Sequence, residues 1–580
     1  MSANAQAIGN GEMGETIGGH PKGLYVLFGT EMWERFSFYS MLALFTLYLR
    51  DPAQGFGWTA GEATALYSNY LMFVYASPLI GGLIADRITG YRKAVMIGGF
   101  FFMAGHALLS IPAIWAVYLA LTCLVIGNGF FKPNVSTMVG NLYPEGSHLK
   151  DRAYNIFYMG INLGAFLAPI VMEIVKAYFG FHAAFAVAAF GMVISVAILW
   201  KFKNLVEDPN ALAARQKARS DKAAGVEETV VDLPHAEEGS EAANSRAKQA
   251  LMDSVPNWKR VAALCVIFAI VIVFWMVFHQ NGSTLTYWAD DNTAWNVTGT
   301  ISNSINAFWV LALTIPLVLF WGFLDKRGKE PATPTKMAIG MTLTGLSFVL
   351  LYFGATVGES MPKTAEQFQT GSFRVNERVA TNLAAQGVTK ADIDKLMAAK
   401  NEEGKNLIDG VKFSPKTIDT SKEVSKADQE LIAVVTKGVP PAAGAKIEVS
   451  GEQQLIAAIN KVIPGFGDTH KEKFLQGAYL FKVSAMWLIF AYGIVTLGEL
   501  MLSPMGLSLV SKVAPISMRG LLMGGWFVAT AIGNKLTQIG VYWDIWLQST
   551  FFLVLASMAL IMAVVLTILL KPLKKAMPGV

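Results

Sequence analysis

The chain has 580 residues, of which 53% are hydrophobic and only 15% are charged, and its mean hydropathy is +0.42. Soluble proteins carry about 25% charged residues, so this composition argues against a soluble protein of this size. The net charge of +5 does not indicate nucleic-acid binding, because the Lys and Arg residues lie beside apolar segments. The two cysteines, Cys123 and Cys265, lie in apolar segments and indicate neither a disulfide framework nor a metal site.

Apolar segments of about 20 residues, the length with which an α-helix crosses a bilayer, recur along the chain. We predict an all-α membrane protein with about 12 transmembrane helices in two six-helix bundles. Residues 1–22 form a polar tail without the apolar core of a cleavable signal peptide, so none is expected. The predicted spans are 24–49, 64–85, 93–113, 114–140, 152–178, 182–202, 259–287, 300–324, 335–357, 475–502, 518–543 and 548–571.

Basic residues in the short loops predict the orientation, since an excess of Lys and Arg marks the cytoplasmic side. Such residues follow the second, fourth, eighth and twelfth segments, for example Arg92, Arg152 and Lys326. The short loops on the other side are nearly free of Lys and Arg. We therefore expect both termini, including the tail 572–580, to be cytoplasmic in a multi-pass protein of the cytoplasmic (inner) membrane.

A polar insertion, residues 203–257, joins the sixth and seventh segments. We predict a cytoplasmic linker with a flexible middle around 223–244. It separates an N-terminal bundle, 23–202, from a C-terminal bundle formed by 258–357 and 475–571. Two such halves facing each other across a central site form a layout typical of membrane carriers.

A second polar insertion, residues 358–474, is predicted to lie on the extracytoplasmic side between helices 9 and 10. Long loops translocate largely regardless of charge, so its many Lys residues do not contradict this side. The stretches 392–397 and 453–459 are predicted to be short amphipathic helices of a small folded domain. The sequence of this insert contains no catalytic or metal-binding constellation.

Charged residues cluster within the first apolar segment. Glu31, Glu34 and Arg35 fall within about one helical turn, so their side chains share a helix face. A charged side chain near the bilayer centre costs roughly 2.5–3.5 kcal/mol, so three together require a reason. The structural interpretation is an ion pair that only stabilises the contact between two helices. We favour the functional one, a polar cavity in which ions or protons are handled.

Three further polar residues lie inside apolar segments. Lys132, beside Pro133, must find a counter-ion, snorkel to a headgroup or lose its proton, and the acids of the first segment are the candidate partners. Asn162 lies beside small residues that pack tightly, and by itself such a residue more often forms a hydrogen bond between helices. Glu499 is the only acid deep in the second half, so it mirrors the cluster of the first half.

The second segment ends in an ordered run of glycines, one acid and basic residues. Glycines let two helices approach closely, and Asp86 is then expected to bond the N-terminus of a neighbouring helix. This run resembles the loop between the second and third helices of the major facilitator superfamily. The resemblance implies a conformational hinge that contains Gly81, Asp86 and Gly90.

Together, these stretches resemble the signatures of the proton-dependent oligopeptide transporter (POT/PTR) family of that superfamily. Residues 31–39 are similar to its ExxERFxYY motif, while 81–105 and 154–166 are similar to its two other signatures. Glu499 with the following Ser503 is similar to its tenth-helix motif. The resemblance covers the predicted spans and neither of the two polar insertions, so we expect the outside insert to be dispensable for the transport step.

The resemblance implies roles at the matching positions. Glu31 and Glu34 would serve proton coupling, and Arg35 would bind the peptide carboxylate. Lys132 would pair with the two acids, and Glu499 would face the peptide amino terminus. The other implied substrate-binding residues are the hydrogen-bonding and aromatic residues Tyr39, Tyr75, Asn162, Trp275, Asn306, Ser503 and Trp526.

Two positions depart from the family pattern. Phe38 stands where a Tyr is usual, which removes one hydroxyl and one implied substrate contact. Ser68 stands where animal members carry a His, so proton coupling is expected to rest on carboxylates. The linker is too polar to contain the two extra helices of many bacterial members, whereas the outside insert is similar in position to that of animal members.

The expected function is import of di- and tripeptides by alternating access, with protons as the coupling ion and without a cofactor. The alternative within the family is transport of nitrate or another small anion, which Glu499 would repel. A receptor or channel is the alternative from another class. An enzyme is not expected, because the sequence shows no nucleophile–base pair. The expected partners are di- and tripeptides and the lipid bilayer, not nucleic acid, and the protein is expected to function as a monomer.

Overall fold

The computed structural model describes residues 16–17, 19–143, 149–206, 254–295, 299–361, 363–400, 408, 411–442, 444–515 and 518–578. The predicted flexible middle of the cytoplasmic linker, 223–244, lies outside the described residues. Long helices dominate the rest, as the apolar segments predict.

The N-terminal half begins with a short antiparallel pair, β1 (Thr16–Ile17) and β2 (His20–Pro21). Its second long helix is started by a capping box, in which the Thr59 side chain accepts a hydrogen bond from the Glu62 amide. A π-helical turn, Ala85–Thr89, follows that helix. The helices are α1 (Lys22–Arg50), α2 (Ala60–Ile84), α3 (Tyr91–Leu109), α4 (Ile114–Asn141) and α5 (Leu149–Lys201).

Helix α5 contains both the fifth and the sixth predicted spans. It changes direction at Gly180, whose φ of 82° lies in the left-handed region that favours glycine. Gln54 from the turn after α1 fits against this bend, because the Phe181 amide donates a hydrogen bond of 2.8 Å to its side chain. A glycine in the middle of an apolar run thus separates the predicted segments 152–178 and 182–202.

The second half starts with a helix that is interrupted within the seventh predicted span, 259–287. A 3-10 turn, His279–Gly282, breaks the segment, and a short helix continues it. A two-residue strand, β3 (Thr293–Ala294), follows. The helices before the insert are α6 (Asn257–Phe278), α7 (Thr284–Asp291), α8 (Gly299–Asp325) and α9 (Thr333–Ser360).

The insert folds around an apolar core of its own, which includes Phe373, Leu383, Ile459 and Phe474. Helices occupy both stretches predicted to be amphipathic. Its helices are α10 (Ala365–Thr370), α11 (Glu377–Ala385), α12 (Lys390–Ala398), α13 (Lys426–Val435), α14 (Gly451–Val462), α15 (Phe466–Thr469) and α16 (Lys471–Ala478). Its antiparallel strand pairs are β4 (Phe373–Arg374) with β5 (Lys412–Phe413), and β6 (Lys416–Asp419) with β7 (Lys446–Val449).

The chain leaves the insert through β8 (Val483–Ser484), which pairs in parallel with β3. The tenth span was predicted too early in the chain, at 475–502. The long helix begins at Met486 and ends at Val513. The reason is that Leu475 packs into the core of the insert as part of α16. The last helices are α17 (Met486–Val513), α18 (Arg519–Leu536), the 3-10 segment Thr537–Asp544 and α19 (Gln548–Ala576).

Each of the predicted spans overlaps one of these long helices. In the described part of the chain, 8 helices are long and apolar enough to cross a membrane. Each half has its own buried apolar core, as a pair of helical bundles requires. The protein is therefore a multi-pass helical membrane protein, while the exact number of crossings stays a prediction.

Hydrogen bonds join the two halves near the end that carries the insert. The Thr46 hydroxyl of α1 donates to the Gly282 carbonyl at 3.0 Å. The Thr64 hydroxyl of α2 lies 3.2 Å from the Tyr287 hydroxyl of α7. The Ser304 hydroxyl at the start of α8 donates to the Phe166 carbonyl of α5 at 3.0 Å. We call this closed junction between the halves the outer seam.

Candidate functional site

The three charged residues of the first span form one buried ion cluster on α1. Arg35 Nε lies 3.1 Å from Glu31 Oε1, and Arg35 also forms a two-point contact with Glu34, with Nη2 2.7 Å from Oε1. Their side chains are almost fully buried. The second oxygen of Glu31 has no hydrogen-bond partner among the described residues, which leaves one unoccupied acceptor in the cluster. The motif thus produces the polar group that its spacing predicts.

A glycine explains how the fifth span reaches this cluster. A Cβ at Gly164 would overlap the Met32 carbonyl and approach Arg35 Cβ at 3.1 Å. The close approach brings Asn162, on the same helix, toward the interior, where it is buried. Its amide donates to the Tyr158 carbonyl at 2.9 Å within its own helix, so the predicted hydrogen bond to another helix is not formed by that donor.

Lys132 interacts electrostatically with Glu31 and Glu34, as predicted, but no ion pair closer than 4.0 Å joins it to them in the described part of the chain. In the described part of the chain, Glu31 and Glu34 pair with Arg35, while Lys132 Nζ lies 4.6 Å from the centre of the Tyr75 ring. Tyr75 lies on α2 and Lys132 on α4. These two helices are in close contact at Gly81, where an added Cβ would overlap the Gly129 carbonyl. A desolvated ammonium is stabilised over an aromatic face, so Tyr75 acts as its immediate partner.

Phe38 also meets a cation. The Arg35 guanidinium lies 4.9 Å from the centre of the Phe38 ring, and the Phe38 and Tyr39 rings contact edge to face at 5.4 Å. The ring that Phe38 shares with the usual Tyr therefore contacts Arg35, while the hydroxyl is missing.

The second half presents a carboxylate held by an amide. Asn306 Nδ2 on α8 donates to Glu499 Oε2 at 3.1 Å and to the Thr496 hydroxyl at 2.9 Å. Glu499 interacts electrostatically with Tyr39 and Tyr75 of the first half. The structure therefore brings together an acid of the second half and the aromatic residues beside the ion cluster.

One residue of this region was missed by the sequence analysis. His279 is buried in the 3-10 turn that ends α6, and its ring stacks on Trp275 at 5.1 Å and lies 5.6 Å from the Tyr75 ring. Neither ring nitrogen has a hydrogen-bond partner among the described residues. The expectation that proton coupling rests on carboxylates stays a prediction, and His279 is an additional titratable group beside the predicted site. The available signal was a polar run that interrupts a very apolar segment.

Two of the predicted substrate-binding residues, Trp526 and Ser503, do not lie at the ion cluster of α1. Trp526 is buried in the core of the second half, where its ring contacts Phe268 at 6.3 Å and fits over Gly506. Ser503 is half-buried on α17, and among the described residues no hydrogen bond joins it to the first half. A cavity of about 290 Å³ opens beside Asn162, between α5 and α8, with an apolar lining that includes Val310 and Ile315.

The predicted hinge motif has the geometry of a sharp turn. Gly90 adopts a φ of 71° directly before α3, a conformation that glycine adopts without strain. Asp86 is exposed in the π-helical turn, and its carboxylate accepts no hydrogen bond from the described residues. The predicted bond between Asp86 and a helix N-terminus is thus absent from this conformation.

Comparison with known sequences and solved structures identifies relatives of this chain. A transporter of Bacillus subtilis named YclF, which is uncharacterized, is 33% identical over 59% of this chain and 75% of its own length. A di-/tripeptide transporter of Lactococcus lactis is 24% identical over 98% of both chains. The crystal structure of a peptide transporter in complex with alafosfalin matches all of both chains with 25% identity and a TM-score of 0.65.

The family comparison covers parts of both halves of the chain. The model of the POT family matches residues 92–389 and 455–543, which is more than half of the chain. Its two matched stretches contain Lys132, Asn306 and Glu499, and the charged motif of α1 precedes them. The chain therefore belongs to the POT family of membrane transporters.

Proposed function

We propose that this protein is a proton-coupled symporter that imports di- and tripeptides by alternating access. The observation that carries the proposal is the opposition of charges across the two halves, with Arg35 and Lys132 on one side and Glu499 on the other. The relatives described as di-/tripeptide transporters support the same substrate class.

A short peptide is a zwitterion, and its length limits the distance between its two charged ends. Arg35 and Lys132 suit its carboxylate, since both are desolvated cations that are oriented by aromatic rings. Glu499, oriented by Asn306, suits its ammonium group. Aromatic residues such as Tyr39 and Tyr75 accept variable side chains because their contacts are mainly apolar.

Proton coupling would arise from the balance of two acids and two bases in the first half. With both acids ionised, Glu31 and Glu34 neutralise Arg35 and Lys132. A proton on Glu31, at its unpartnered oxygen, would weaken its attraction for Arg35 and release a positive charge for the peptide carboxylate. Substrate and proton would then favour the same conformation, which is the requirement for symport.

Alternating access would follow from movement of the two halves about this site. The outer seam is closed in this structure, as the bond between Thr46 and Gly282 illustrates. We place the insert on the extracytoplasmic side and both termini in the cytoplasm, in the inner membrane, with one chain as the functional unit. The nitrate alternative gains no support from the relatives described above, and Glu499 would repel an anion.

Uptake into proteoliposomes tests the proposal directly. Vesicles with an inward proton gradient should accumulate a labelled dipeptide, and a collapsed gradient should abolish accumulation while exchange continues. A mixture of unlabelled di- and tripeptides should compete, whereas nitrate should not. Competition by nitrate without competition by peptides would overturn the substrate assignment, and accumulation without a gradient would overturn proton coupling.

A further inference from the structure

The outer seam contains a second, partly buried ion cluster, distinct from the one on α1. Asp290 and Asp291 end helix α7 of the second half, and both belong to this cluster. Arg50, the last residue of α1, reaches across from the first half, with Nη2 3.7 Å from Asp291 Oδ2. This pair is the charged link between the two halves at the seam.

Two cations from the insert contact the same carboxylates. Arg374 forms an ion pair with Asp291, and Lys412 Nζ lies 3.3 Å from Asp290 Oδ2 and 3.4 Å from Asp291 Oδ1. Arg374 and Lys412 are direct partners in the register of β4 with β5, so the short sheet presents them side by side. The neighbouring pair Phe373 and Phe413 anchors this sheet in the core of the insert.

The cations outnumber the acids in this cluster. Arg374 and Lys412 already balance the charges of Asp290 and Asp291, and Arg50 and Lys482 add two further positive charges. Burial alone would lower the pKa of Lys412, but Asp290 and Asp291 together raise it, so Lys412 keeps its proton.

Arg50 has the weakest polar contacts of the cluster. Its Nε and Nη2 atoms make no hydrogen bond to any described residue, although the side chain is buried. Its guanidinium lies over the Tyr287 ring, 4.0 Å from the centre. Arg50 and Arg374 therefore share one oxygen of Asp291, Oδ2, while Lys412 lies beside the other.

The same arrangement recurs at a second carboxylate of the seam. Asp544, in the 3-10 segment after α18, accepts a hydrogen bond of 3.1 Å from the Ala60 amide of the first half. It also lies 3.3 Å from Asn376 Nδ2 of the insert. Both carboxylates that link the halves are thus shared with the insert.

We propose that the insert sets how readily the outer seam opens, because Arg374 and Lys412 compete with Arg50 for the carboxylates of α7. The insert is joined to α9 and α17 and so remains with the second half when the seam opens. Its cations keep Asp290 and Asp291 neutralised after Arg50 leaves, which favours the open state. Without them, only the exposed Lys482 would remain beside the two acids, and Arg50 would hold the halves together more firmly. This inference rests on the alternating access proposed above, and it replaces the expectation that the insert is dispensable.

The test measures opening of the seam without any substrate. Ser283→Cys introduces a thiol at a fully buried seam position, in a background in which Cys123 and Cys265 are replaced by Ser. An uncharged, membrane-impermeant maleimide is added on the insert side, and the rate of labelling reports the open fraction. Because the reagent is uncharged, a change in seam charge does not alter its approach.

Arg374→Gln and Lys412→Gln should each slow labelling about fivefold, the low end of measured coupling between sites. Lys416→Gln removes the same charge from an exposed pair with Asp428 within the insert and should leave the rate within about twofold. In an Arg50→Gln background the effect of Arg374→Gln should disappear, because the competition has been removed.

An unchanged or faster rate in both seam variants would overturn the proposal. If Arg374→Gln does not fold, as judged by size-exclusion chromatography, the less buried Lys412→Gln decides the matter. Peptide uptake by the same vesicles is measured separately. A slowed labelling rate in a protein that transports no peptide would leave the seam inference standing while overturning the proposed substrate.

Discussion

Asn306 Nδ2 donates a hydrogen bond of 3.1 Å to Glu499 Oε2, and this bond orients the acid of the second half at the proposed site. In Glu499→Gln the amide oxygen can still accept that bond, but the negative charge is lost. We expect affinity for dipeptides with a free amino terminus to fall about tenfold, which corresponds to about 1.4 kcal/mol. N-acetylated dipeptides should be affected little. Competition assays with the two ligand types provide the measurement, and an equal loss for both would show that Glu499 does not meet the amine.

The carboxylates of α1 are expected to carry the coupling proton. Glu31→Gln and Glu34→Gln keep the shape of the side chains but can no longer release a proton, so a gradient cannot act on the two conformations there. Gradient-driven accumulation should fall close to the equilibrium level, while exchange without a gradient should survive. Both are measured in the same vesicles, with Glu452→Gln in the insert as the control. If both α1 variants accumulate peptide like the parent, the proton travels elsewhere, and His279 is the next group to test.

The ring of Tyr75 is expected to hold Lys132 in place. Tyr75→Leu removes the cation–π contact, which is worth about 2 kcal/mol when desolvated, and should raise KM for dipeptides about fivefold or more. Tyr75→Phe keeps the ring and should change KM less than about twofold. Equal effects of the two substitutions would assign the contribution of Tyr75 to its hydroxyl and not to Lys132.

Two neighbouring glycines provide a stability test of the contact between α2 and α4. A Cβ at Gly81 would overlap the Gly129 carbonyl, whereas a Cβ at Gly82 would lie 3.8 Å from Pro133, an ordinary contact distance. Gly81→Ala should therefore lower the unfolding free energy by about 1–3 kcal/mol through overpacking, and Gly82→Ala should be nearly neutral. Thermal unfolding in detergent compares the two Tm values. A similar Tm for both variants would mean that the helices separate without cost.

Local patterns in the sequence determined the long helices and the first ion cluster. Hydropathy over about 20 residues is a property of each segment alone, so the spans could be predicted before their packing was known. The spacing of Glu31, Glu34 and Arg35 fixes their proximity within a single helical turn. The amphipathic stretches of the insert were predictable for the same reason.

Only the tertiary structure decided which residues from distant segments meet. Lys132 lies over Tyr75 because glycines let α2 and α4 approach, and no local pattern specifies that choice over the predicted pairing with the acids. The tenth span was misplaced because Leu475 is as apolar as a membrane residue but belongs to the core of the insert. The surroundings of His279 and the shared contact of Arg374 and Arg50 with Asp291 depend on segments that are far apart in the chain. Periodicity indicates which face of an element is apolar, whereas the packing of whole bundles determines what that face contacts.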